Sequence, residues 1–105
     1  MNYYPDVWVM LEFNSKEYGA VRKIFAGWYG GYTGSDSWKL SSGNLKAYET
    51  EEFYVFPQES GSVYYCRKNA QQMNNYMRQI YSGWRNDTLE MPGTSVDIIK
   101  YTVER

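Results

Sequence analysis

"AVRKIFAGWYGG", residues 20–31, is the stretch on which the fold turns. Val21, Ile24, Phe25 and Trp28 fall at helical spacing, so periodicity alone permits a helix. Glycine chemistry argues the other way. Gly19, Gly27, Gly30 and Gly31 would each cost about 1 kcal/mol inside a helix. No capping box stands upstream, because Ser15 is followed three residues later by Tyr18 rather than by Glu or Gln. We therefore read residues 20–29 as a strand, with Gly27 at a bulge or where another part of the chain comes close.

That reading makes the chain β-rich. Upstream, Val7, Val9, Leu11 and Phe13 alternate with Trp8, Met10 and Glu12, which predicts a strand with one face well buried and the other partly covered. "NSKEYG" is a polar turn. Downstream, "DSWKLSS" reads as a short strand and Gly43-Asn44 as a tight turn. "LKAYETEEFYVFP", residues 45–57, reads as one long strand ending at Pro57, with its charged first half exposed. "QESGS" turns the chain, and "SVYYCRK", residues 62–68, forms the next strand. One helix follows, because Ala70, Met73, Met77, Ile80 and Trp84 make an apolar stripe. Asn69 is the expected N-cap, with Gln72 at the reciprocal position. Gly83 or the "RND" after it is the expected end. Met91-Pro92-Gly93 is a turn, and "SVDIIKYTVE", residues 95–104, is a β-branched last strand. The expected fold is a single α+β domain over residues 1–105: a mainly antiparallel meander of about six strands with one amphipathic helix packed on one face. The last strand is a candidate edge, where a second copy can pair unless Asp97 and Lys100 guard it.

Composition narrows the function classes. The chain has 105 residues, with 11 Lys and Arg against 12 Asp and Glu for a net charge of −1. This balance disfavours a dominant attraction to nucleic acid or acidic membranes. There is no basic leader, and no apolar run approaches the roughly 18 residues of a membrane helix. Cys66 is the only cysteine, which fits a reducing compartment; the expected location is the cytoplasm. Histidine is absent. That removes the side chain suited to proton transfer near neutral pH, the usual base partner of Ser and Cys nucleophiles, and most zinc and iron sites. No cofactor, metal or enzymatic activity is expected. An alternative rests on the carboxylates Glu49, Glu51, Glu52 and Asp36, which suit acid–base or magnesium chemistry. Against it, no Asp-x-Asp or calcium-loop spacing occurs.

Aromatic content is the outstanding feature: 19%, with 12 tyrosines and 4 tryptophans. Several rings crowd into "GWYGGYTGSDSWKLSSGN", residues 27–44. This is not a phosphate loop, which needs Gly, four residues, then Gly-Lys-Ser/Thr before a helix. Nor is it a Gly/Ser spacer, since its rings are too large and too apolar. It reads as a glycine-shaped turn joining two strands, whose rings either fold back onto the sheet or project outward. Trp28, Tyr29, Tyr32 and Trp38, with Lys39 beside them, are the candidate binding residues. Projecting rings of this kind form interface hot spots.

"GGYTGSDSWKLSSGN", "YETEEFYVF" and "SGSVYYCRKNA" together resemble a group of small uncharacterised proteins of tailed bacteriophages and cyanophages. The shared order is Gly-Tyr, Ser-Trp-x-Leu-x-Ser-Gly and Ser-Gly-Ser-Val-Tyr, over about residues 27–70. The resemblance implies a viral origin and carries no residue roles, because that group has no assigned activity. The leading expectation is a phage-encoded, non-catalytic binding protein acting inside the host on a host or phage protein. One alternative is a small-ligand or single-stranded nucleic-acid binder that stacks bases on the same rings, with Arg22, Lys23, Arg67 and Lys68 as local positive charge. Another is a minor virion component.

Overall fold

The computed structural model describes residues 1–30 and 35–103. Its elements are β1 (Asn2–Tyr3), β2 (Val7–Ser15), β3 (Gly19–Trp28), β4 (Ser37–Leu40), β5 (Tyr48–Glu49), β6 (Phe53–Pro57), β7 (Val63–Arg67), α1 (Asn75–Leu89) and β8 (Ser95–Ile99). The class is α+β, and the ambiguous segment is a strand. β2 and β3 pair antiparallel from Val7↔Gly27 to Ser15↔Gly19. Their connection closes at Gly19, whose φ of 75° lies in the left-handed region that glycine enters without penalty.

The single meander is corrected to two sheets. Among the described residues the strand orders are β4-β3-β2-β8 and β1-β7-β6-β5, four strands each. The reason lies in "VWVML". Val7, Val9 and Leu11 face Met77 and Tyr81 of α1, together with Phe25 and Val96. Trp8 and Met10 face the other way, onto Phe56, Tyr64 and Cys66 of the second sheet, together with Ile24 and Ala26. A strand apolar on both faces needs cover on both faces. The helix supplies one and the second sheet the other, giving three layers around two cores. Gly27 sits where α1 docks: a Cβ there would run into the Met77 sulfur. Close approach, the expected role of this glycine, is what the packing shows.

Four local readings are also corrected. Residues 45–57 are not one strand but a hairpin, with Tyr48 opposite Val55 and Glu49 opposite Tyr54. Thr50 makes the turn, its N–H donating to the Phe53 carbonyl at 2.8 Å and its hydroxyl accepting from the Phe53 N–H at 3.1 Å. Gly43-Asn44 does not turn a hairpin; it carries the chain from one sheet to the other. Asn44 N–H donates to the Arg22 carbonyl and Leu45 N–H to the Pro57 carbonyl, both at 2.9 Å. Buried Gln58 ties this crossing down, accepting from Gly43 N–H and donating to Asn44 Oδ1 and the Phe56 carbonyl.

The helix N-cap is Asn74, not Asn69. Its Oδ1 accepts from Met77 N–H at 2.8 Å. Lys68–Ala70 forms only a 3-10 turn, and Gln71 is held by Tyr101 through Tyr101 N–H to Oε1 (2.6 Å) and Nε2 to the Tyr101 carbonyl (3.1 Å). The helix also runs through Gly83 to Leu89. β8 is an edge strand, as expected, and stops at Ile99. β1 was not foreseen; it pairs parallel with β7 through Asn2↔Val63 and Tyr3↔Tyr64. Among the described residues no helix is long and apolar enough to cross a membrane.

Candidate functional site: an uncovered aromatic sheet face

The described candidate rings, Trp28, Tyr29 and Trp38, do not converge. Trp28 packs on the inter-sheet side, its ring edge-on to Tyr3 at 6.2 Å and its indole N–H donating to the Tyr4 carbonyl at 3.1 Å. Trp38 stands opposite Gly27 and turns to the helix side, 5.7 Å from Phe25 and 5.5 Å from Trp84. The two indoles therefore fold back on opposite faces of one sheet. Lys39 places its ammonium 5.3 Å over the Tyr3 ring. Tyr29 stays 52% exposed, its N–H anchored on Asp6 Oδ2 at 2.8 Å. Tyr32 lies outside the described residues.

A larger aromatic surface forms elsewhere. Along β6 and β7 the side chains alternate. Tyr54, Phe56, Tyr64 and Cys66 point into the inter-sheet core. Phe53, Val55, Tyr65 and Arg67 therefore take the outer face, in register as Phe53↔Arg67 and Val55↔Tyr65. Tyr48 of β5 stands opposite Val55 and extends the row, and Tyr4, just beyond β1, completes it. The helix lies against the other sheet and gives this face no cover.

Packing within the row is specific. Tyr4 stacks on Tyr65 with centroids 4.8 Å apart and planes 12° from parallel. Phe53 meets both edge-on, at 6.0 and 6.1 Å. Val55, between Tyr48 and Tyr65, is fully covered, while Tyr4 and Tyr48 remain 55% and 53% exposed. Desolvation, then the neighbouring Tyr65, raises the Tyr48 hydroxyl above its ordinary pKa. Arg67 is exposed at one end of the face, beside exposed Glu51 and Glu52 of the β5–β6 turn.

Two of the four candidate carboxylates and the thiol are occupied by structure, while Glu51 and Glu52 stay exposed on the turn. Glu49 pairs with the Lys68 ammonium at 2.9 Å. Asp36 Oδ1 accepts from Gly30 N–H at 2.9 Å. Cys66 is fully buried, and burial pushes its thiol well above the usual range. Among the described residues no three His, Cys, Asp or Glu side chains gather where they would hold a metal ion.

The signal for the outer face was present in the sequence as the alternation of "FYVFP" and "VYYCR". The alternation alone does not say which half is left outside, because the second, facing sheet decides that. Comparison with protein-family models, with curated proteins and with solved structures returns no match.

Proposed function

We propose that this chain is a non-catalytic binding protein that docks a partner protein on the outer face of the β1-β7-β6-β5 sheet. The carrying observation is the way the rings are used. Tyr4 and Tyr65 each give one ring face to the other, and Phe53 closes the group edge-on, so the rings are held in place before any partner arrives. Tyr4 and Tyr48 keep 55% and 53% of their surface open at the two ends of this packed row. Base binding needs stacked rings together with positive charge along the strand, and this row holds one cation, Arg67, beside two glutamates; a protein surface uses the apolar ring and the phenolic hydroxyl together. Pre-packed tyrosines also give contact area with little rotamer entropy left to lose. The phage resemblance supports a partner inside the host cell, of host or phage origin.

The test is capture from infected cells, comparing the native chain with Tyr4→Ala/Tyr48→Ala, two exposed rings whose loss spares both cores. The double variant should keep its circular dichroism and lose the captured protein, and crosslinks on the native chain should map to Tyr65 and Phe53. Capture should persist with rising salt, unlike binding to nucleic acid. Retention of the same protein by a folded double variant would overturn the reading. Self-association of the native chain that disappears in the variant would instead make this face an interface between copies.

A further inference from the structure

We propose a second, independent site: the cleft between the tip of the β2–β3 hairpin and the α1–β8 connection binds a small apolar carboxylate. The cleft has a volume of about 570 Å³, within the roughly 300–1,000 Å³ of small-molecule sites. Phe13 and Val21 from the hairpin form one wall and Met91, beyond the helix, stands opposite. Tyr18 and Met91 are left 78% and 53% exposed, so the mouth is apolar and wet. An apolar ligand would relieve that exposure.

Its polar groups narrow the ligand class. Ser15 Oγ already accepts from Tyr18 N–H, Thr88 donates to the Arg85 carbonyl and Thr94 to the Met91 carbonyl. Lys23 is different. It is half-buried, its ammonium sits 5.9 Å over the Phe13 ring, and no carboxylate lies within ion-pair reach of it among the described residues. Arg22 and Lys68 have such a partner; Lys39, over the Tyr3 ring, has none among the described residues either, but it does not line this cleft. A cation held over an aromatic floor, in a cleft whose two threonine hydroxyls already donate to backbone carbonyls, selects an apolar body bearing one anionic group. The one acid on the lining, Glu59, has its carboxylate packed toward the Gly43 α-carbon, in the segment whose Ser41 and Asn44 N–H groups bond the Ile24 and Arg22 carbonyls on either side of Lys23. Its charge would compete with the ligand head for Lys23.

The test titrates the full chain with decanoate, decanol and decylamine, following backbone amide shifts and tryptophan fluorescence. Trp84 lies 6.2 Å from Phe13 and reports on the cleft floor. Decanoate should bind at least about tenfold tighter than decanol, with shifts at Gly19, Lys23 and Thr94. Lys23→Met should bring the two ligands within about twofold, and Lys23→Arg should restore the gap. Glu59→Gln, an exposed change that spares the fold, should tighten decanoate and leave decanol unchanged. Equal binding of all three probes, no saturable binding, or shifts confined to the Tyr4–Tyr65 face would overturn the proposal. Because the partner face and this cleft share no residue, either can fail without the other.

Discussion

Gly27 shows how much one missing methyl group decides. Its hydrogen leaves the space into which Met77 settles, with Asn74 and Val7 closing the rest. Gly27→Ala should therefore cost about 1–3 kcal/mol through overpacking. In urea denaturation the Gly27→Ala/Met77→Ala pair should cost less than the sum of the two single changes, because the second removes what the first collides with. Asn74 is the other decisive residue. Asn74→Ala should cost about 1 kcal/mol as a lost cap, while Asn69→Ala should fall within the scatter of surface changes; thermal melts of the two variants distinguish the positions. The need for close approach at Gly27 was legible, since a glycine between Ala26 and Trp28 in a buried strand has few other uses. The cap was not. Asn69 and Gln72 satisfy the local rule, but the hydrogen bonds between Gln71 and Tyr101, thirty residues apart, hold that stretch out of the helix.

Among the elements, β2 and α1 could be read from periodicity because each carries a face that must be buried; β3 was decided by its glycines against a helical spacing, and β4, β7 and β8 by composition and flanking turns. β1 and β5 could not be read. Each is two residues long, too short for a period, and each exists because a neighbouring strand offers an edge. The break between β5 and β6 followed from Thr50 and the two glutamates, whose charge favours a solvated turn over a continuing ladder. β7 has a consequence for alkaline stability. Burial first, then Tyr3 and Cys66, pushes the Tyr64 hydroxyl up to about 12 from an ordinary value of 10.0. A raised folded-state pKa means the native chain holds a proton that the unfolded chain has lost. The stabilisation is complete below pH 10 and drains away as pH climbs toward 12, by of the order of 1 kcal/mol per pH unit. Denaturation midpoints should fall over that window, and Tyr64→Phe should flatten the fall.

At the scale of the whole molecule, the β4-β3-β2-β8 sheet belongs to both cores at once. Val9 serves the helix side and Met10 the inter-sheet side of the same strand. Met10→Ala, expected to cost about 2–5 kcal/mol, should lower a single transition seen identically by far-ultraviolet dichroism and by tryptophan fluorescence. Two separated transitions would mean that the layers unfold independently. The three-layer arrangement was half visible in "VWVML", whose two apolar faces demanded two covers; which segments supplied them depended on long-range pairing that no local pattern records. The parallel β1–β7 ladder sets a timetable for biosynthesis. Asn2 finds its partner only at Val63, about sixty residues behind it. At roughly 5–20 residues per second that is a wait of roughly 3–12 s on the ribosome, during which Tyr3 and Tyr4 hang loose while the β2–β3 hairpin is free to close. A strand made about sixty residues before its partner is among the last to dock.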